Sequence, residues 1–275
     1  MFGIEFLPQS LDKDINQLDA MIKGAKQYLN QEVDFVLIPA NPRKCASVDS
    51  LLAASLLRQK IKDYVFVPTL SGSGCESQSG KMRLSSQLLA VKYANFQTLA
   101  LIGGENEGMS SVEMMIIARE ILGEKVRIIS GSGALDDAKN RHRLEQKLQA
   151  GVDMIITQPL FCAKEARTFL QIFESLKQQG GYKAQAFIGV FGVFNVHTAL
   201  RINEAHLGFE IPQDYIESMD SVCGENTEER MEHRPKQRYE QLWQEMEKVA
   251  QEYGAFLYLS TPKHNDLRAY GICEG

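Results

Sequence analysis

Eight short apolar runs, each followed by a helical or polar stretch, constrain this chain more than any other feature of its sequence. They fall at 3–8, 35–38, 64–67, 98–102, 126–129, 154–157, 186–190 and 255–259. Most are continuously hydrophobic and bounded by Pro or Gly, the pattern of strands buried on both faces. Between them apolar residues recur at helical spacing, as with Leu11, Ile15, Leu18, Met21, Ile22 and Ala25, which predicts amphipathic helices. The spacing predicts helices over 11–30, 50–61, 82–95, 111–122, 139–150, 163–178, 196–206 and 236–252, with a further helix over 213–220 in an apparent insertion. An acidic, polar stretch around 224–233 precedes the long 236–252 helix. No two strands adjoin, so each must return to a parallel neighbour through a crossover. Eight such βα units in 275 residues predict the α/β class and an eight-stranded parallel β/α (TIM) barrel, with 1–275 as one domain. The competing architecture is an open Rossmann-like sheet. Gly131-Ser132-Gly133 lacks the full glycine fingerprint of a dinucleotide fold.

Charge and composition exclude several classes. The net charge of −5 argues against nucleic-acid binding, which uses a basic surface. No apolar run reaches the ~20 residues of a membrane span, and no leader pattern opens the chain. Cys45, Cys75, Cys162, Cys223 and Cys273 are odd in number and scattered, as reduced thiols of a cytoplasmic protein would be. The histidines 142, 197, 206, 233 and 264 show no metal-ligand spacing, so no metal site is expected. No GxSxG elbow marks a hydrolase nucleophile. Trp243 falls in an amphipathic helix and reads as packing. The 236–252 helix is a candidate contact in a homo-oligomer.

In a β/α barrel the chemistry is built at the strand C-termini. The polar residues there are Glu5, Asn41, Arg43, Ser71, Ser73, Glu105 (after Gly104), Ser130, Ser132, Thr157, Gln158, Asn195, Ser260 and Thr261. Glu5 and Gln158 stand out, since each lies within or directly after an apolar strand. A carboxylate in such a strand must be paired, hydrogen-bonded or protonated. Glycines at 72, 74, 103 and 104 would let backbone approach a phosphate or flat ring, and tight turns explain them equally well.

Ile4-Glu5-Phe6-Leu7-Pro8 and the stretch from Gly151 to Phe161, with Ile156-Thr157-Gln158-Pro159 at its centre, are similar to motifs of the methylenetetrahydrofolate reductase family. Leu101-Ile102-Gly103-Gly104-Glu105 and Ile188-Gly189-Val190-Phe191 add to the resemblance. It implies a β/α barrel in which a reduced flavin (FAD) passes hydride to 5,10-methylenetetrahydrofolate, with NAD(P)H as reductant. Glu5 falls on the family's general acid, a role suited to a carboxyl held protonated in an apolar strand. Gln158 falls on a residue that hydrogen-bonds the pterin, and Glu105 on an Asp near pterin and flavin. Lys147 matches a lysine near the flavin phosphates, and Ser71 and Gly104 are compatible with flavin contact. The chain departs from the family at Pro39-Ala40, Thr69, Gly103, Gly131, Leu135 and Asn140, where aromatic or charged flavin contacts are expected. Three other outcomes therefore stay open: direct hydride transfer from NAD(P)H, a pterin-binding methyltransferase, and a folate-binding or subunit-interaction protein without turnover.

Overall fold

The computed structural model describes residues 1–41, 46–104, 108–193, 196–205, 207–220 and 228–260, with the backbone alone for Asp220 and 228–237. Its eight strands are β1 (Phe2–Glu5), β2 (Phe35–Ile38), β3 (Val65–Ser71), β4 (Thr98–Ile102), β5 (Arg127–Ser132), β6 (Met154–Pro159), β7 (Gln185–Phe191) and β8 (Phe256–Ser260). Every strand pairs in parallel with its sequence neighbour, and β8 closes on β1 through Phe2–Leu257, Gly3–Tyr258 and Ile4–Leu259. The fold is a closed β/α barrel, not an open sheet. The helices are α1 (Leu11–Leu29), α2 (Ser50–Lys60), α3 (Gln78–Tyr93), α4 (Ser111–Leu122), α5 (Ala138–Gln149), α6 (Ala163–Gly180), α7 (Val196–Glu204), α8 (Gln213–Asp220) and α9 (Glu228–Tyr253). None is long and apolar enough to cross a membrane, among the described residues.

Local chemistry starts and stops these helices. Asp49, Ser77 and Asp137 each cap a first turn through a side-chain oxygen. Ser110 and Glu113 form a reciprocal capping box on α4. Asn30 and Gly181, both left-handed, end α1 and α6.

Strand residues alternate between two cores. Phe35, Leu37, Val67, Ala100, Ile129, Met154, Ile156, Phe187 and Tyr258 fill the barrel interior, while their neighbours in sequence face the helices. Gly3 leaves room for this filling: a Cβ there would lie 2.2 Å from the ring of Phe35.

Two differences from the expected boundaries stand out. β3, β5 and β6 continue to Ser71, Ser132 and Pro159, past the ends of their apolar runs. Pairing outlasts hydrophobicity there because the last inward positions face the barrel mouth, where polar residues are tolerated. Helix α9 begins at Glu228, not 236, and passes through Pro235. A proline removes one helical hydrogen bond, and the surrounding Glu, Arg and Met residues are good helix formers.

Candidate active site

Alternation along the strands decides what faces the mouth. Two or four residues beyond interior positions, on the same pleat, lie Glu5 after Gly3, Thr69 and Ser71 after Val67, and Gly131 after Ile129. Gln158 likewise follows Ile156, and Ser260 follows Tyr258. All of these line one cavity of about 650 Å³ at the C-terminal end of the barrel. Except at Gln158, where β6 and β7 lose register, their convergence follows from period two in closed parallel strands.

Glu5 is half-buried in this wall. The hydroxyl of Ser260 donates to its Oε1 at 3.2 Å, and the phenol of Tyr258 lies 3.4 Å from Oε2. Burial, then the charge of Glu5 and this hydrogen bond, hold the Tyr258 phenol well above its ordinary pKa. Tyr258 therefore stays protonated and acts as a donor. Parity with Ser260 would have revealed Tyr258 in the sequence, where it read as one more apolar strand residue.

Across the mouth, four strands from β1, stands a cationic edge. Lys147 on α5 donates to the Gly131 carbonyl and lines the cavity together with Arg143. Burial, and next the charge of Arg143, lower the Lys147 amine to about 8. The amine is a cation below that pH and neutral above it. The unfolded chain keeps this proton to about pH 10.4, so the group's contribution to stability improves as pH rises from about 8 to about 10. Anion affinity runs the other way. Binding of an anionic ligand at this edge is expected to weaken from about pH 7 to about pH 9 around that titration. Lys147→Met should flatten the dependence in titration calorimetry; an unchanged slope would remove Lys147 from the site.

Gln158 sits where β6 and β7 lose register. Ile156 pairs with Phe187, but the next pair is Pro159 with Gly189, three residues against two. Such a bulge re-aims a side chain. Gln158 Nε2 donates to the Gly208 carbonyl at 2.6 Å. Leu207 and Phe209 on either side of Gly208 also line the cavity, with Phe191. The Phe209 ring meets Phe191 edge-on and stacks on Phe161. This aromatic wall was invisible in the sequence, because nothing local shows that the α7–α8 connection returns over the mouth.

The other expected positions divide. Ser130 donates to the Leu101 carbonyl and Thr157 accepts from the Gly189 amide, so both hydroxyls serve the strands. Ser71 lines the cavity and also holds Ser73, whose backbone N–H donates to its Oγ. Gly104 lies behind the wall, where its N–H donates to the Met109 carbonyl, and Gly103 lines the cavity in that region. Arg43, Glu105, Asn195 and Thr261 lie outside the described residues. Among the described residues no group of three His, Cys, Asp or Glu could hold a metal ion.

A flat anionic cofactor can be tested against this lining. Thr69 is buried and lines the cavity floor, and its Oγ1 has no hydrogen-bond partner. A buried hydroxyl in that condition costs about 1–3 kcal/mol, which a ligand atom would relieve. Gly131 and Gly133 leave open space: a Cβ at either would meet nothing closer than 3.5 Å. With Ser71 and the Lys147–Arg143 edge, these residues fit a ring carrying a phosphate. Pro39 and Ala40 on the opposite wall contribute only apolar side-chain contact.

Comparison with known proteins bears on residues 132–251, which match the family model described as methylenetetrahydrofolate reductase. Over that segment, somewhat under half of the chain, the sequence is similar to these reductases. The matched segment runs from the end of β5 to the last turns of α9, so it contains Lys147 and Gln158 but not Glu5, Ser71 or Gly104. No curated protein matches the chain. Among solved structures, an uncharacterized protein from Clostridium thermocellum that binds two copies of 5-methyl-5,6,7,8-tetrahydrofolic acid superposes with a TM-score of 0.68. It is 12% identical, with 96% of this chain and 88% of that one covered. The EDTA monooxygenase EmoA from Chelativorans sp. BNC1 superposes with a TM-score of 0.51 at 9% identity, covering 95% and 89%. At such identities these two likenesses establish the shared barrel fold alone.

Proposed function

We propose that the barrel binds a reduced folate in its C-terminal cavity and reduces 5,10-methylenetetrahydrofolate to 5-methyltetrahydrofolate, with Glu5 as general acid. The observation that carries this reading is the placement of Glu5 and Gln158 on the wall of one cavity. The family match over the second half of the barrel and the folate bound by the Clostridium thermocellum protein support it.

Glu5 gives its proton to the bridging nitrogen as the five-membered ring opens to an iminium. Tyr258 and Ser260 donate to the carboxylate left behind; donors of this kind favour the charged form, so they strengthen Glu5 as an acid and do not hold it protonated, as the apolar strand alone would. They also fix the direction of the carboxyl. Gln158 hydrogen-bonds the pterin edge, with Phe191 and Phe209 as an apolar wall beside it. Ser71, Thr69 and the Lys147–Arg143 edge would hold FAD. That cofactor, when bound, supplies hydride taken from NAD(P)H.

Adding FAD to the purified protein and recording its absorption spectrum tests the cofactor. The expected result is a bound, perturbed flavin spectrum; a spectrum identical to free FAD would remove flavin from the account. A second reading, folate binding without turnover, draws on Pro39 and Ala40 at positions where the family presents polar flavin contacts. It predicts folate binding with no folate-dependent NAD(P)H oxidation.

A further inference from the structure

We propose that the Gly208 carbonyl sets the orientation of the Gln158 amide, so that Gln158 offers Oε1 to the ligand and the cavity demands an N–H donor there. The inference rests on the folate reading for its ligand, and on the α7–α8 connection for its geometry. Gly208 is then a positioning residue.

The direction of the amide follows from donor and acceptor chemistry. A backbone carbonyl can only accept, so the Gln158 group facing it at 2.6 Å must be the Nε2 donor. Flipping the amide would bring two oxygens together. Oε1 is thereby turned to the side of Gly133, where an added Cβ would lie 3.5 Å from it. Both residues line the cavity. An acceptor fixed in this way suits a fused heterocycle whose edge carries an N–H, as a pterin's lactam and amino groups do. Sites built around such a bond discriminate strongly against analogues lacking the donor.

The carbonyl is itself held in place. Gly208 has φ +88°, a left-handed conformation, and in that conformation its carbonyl accepts from Gln158. Downstream, Asn203 clamps Ile211 from both sides: its Nδ2 donates to the Ile211 carbonyl at 2.9 Å, and the Ile211 amide donates to its Oδ1 at 2.8 Å. Between these ties, Phe209 packs on Phe161 and Phe191. At the other end, the β6 bulge delivers Gln158 to this spot. Two irregular segments from distant parts of the chain thus meet in one hydrogen bond.

The test compares wild type with Gly208→Pro, whose ring forbids the positive φ, and with Gly208→Asn, which tolerates it. The probes are tetrahydrofolate and its N3-methyl and 2-dimethylamino analogues, titrated by calorimetry. Wild type and Gly208→Asn should prefer tetrahydrofolate over the analogue with the blocked donor. Gly208→Pro should lose roughly tenfold of that preference, the worth of about one hydrogen bond. An equal loss for all three ligands, leaving the ratio unchanged, would mark Gly208 as merely structural and overturn the proposal. A second readout needs no ligand. The side-chain amide protons of Gln158 in ¹⁵N-labelled protein should be protected in wild type and Gly208→Asn and exchange freely in Gly208→Pro. Identical exchange in wild type and Gly208→Pro would also overturn it. If wild type binds none of the folates, the folate reading fails, and the amide exchange still decides whether Gly208 orients Gln158.

Discussion

Replacing Glu5 by Gln is expected to lower folate-dependent turnover by about 10²–10⁴-fold, the usual contribution of a positioned general acid, while folate affinity changes only a few-fold. Gln keeps the size of the side chain and an oxygen able to accept from Ser260 and Tyr258, so the cavity should keep its shape. What it loses is the transferable proton. Tyr258→Phe separates proton supply from support: it removes one donor to Glu5 and leaves the ring that stacks beside Phe35 in the barrel interior. A loss of about tenfold is expected there, with the worth of one hydrogen bond to a charged group. Steady-state rates and folate titrations on the same preparations check both variants. Unchanged turnover in Glu5→Gln would return Glu5 to a structural role.

Gly104→Ala is expected to destabilise the fold by about 3 kcal/mol and to leave FAD affinity per folded molecule nearly unchanged. A Cβ at Gly104 would lie 2.5 Å from Gly108 Cα and 3.0 Å from the Gly72 carbonyl carbon. At Gly72 it would lie 2.1 Å from the Met109 carbonyl oxygen. These are backbone atoms, which cannot rotate aside. The segments also exchange hydrogen bonds: Gly72 donates to Ile102, Gly104 to Met109, and Met109 to Gly72. The loops after β3 and β4 are thus locked together through glycines, and a methyl group must pry them apart. Thermal denaturation should show a fall of several degrees, since each kcal/mol moves the midpoint by about 2–4 °C in a domain of this size class. Gly72→Ala should do at least as much. If Gly104 instead met the flavin directly, its replacement would weaken FAD binding and spare the melting temperature.

The barrel was legible because its strands are buried on both faces. Runs such as Phe35–Ile38 need no knowledge of partners to be read, and the absence of adjacent strands dictates parallel crossovers. The rim was legible only in part. Glu5 and Gln158 declared themselves as polar residues beside apolar runs. Tyr258 did not, since a phenol inside an apolar strand resembles core until its pleat parity is compared with Ser260. The closing of the α7–α8 connection over Gln158 is long-range, joining Gly208 to a residue 50 positions earlier, and no local pattern encodes it. Gly104 was ambiguous for the opposite reason: glycine signals close approach without saying to what, and the neighbours closest to it are backbone atoms of Gly108 and Gly72.

The account stands most directly on whether the cavity carries out hydride transfer to a folate. The decisive measurement follows NAD(P)H oxidation by FAD-supplemented protein, with and without 5,10-methylenetetrahydrofolate, and identifies the folate product. The account predicts oxidation that requires the folate, yields 5-methyltetrahydrofolate, and is lost in Glu5→Gln. Folate bound in the cavity with no folate-dependent oxidation would contradict it.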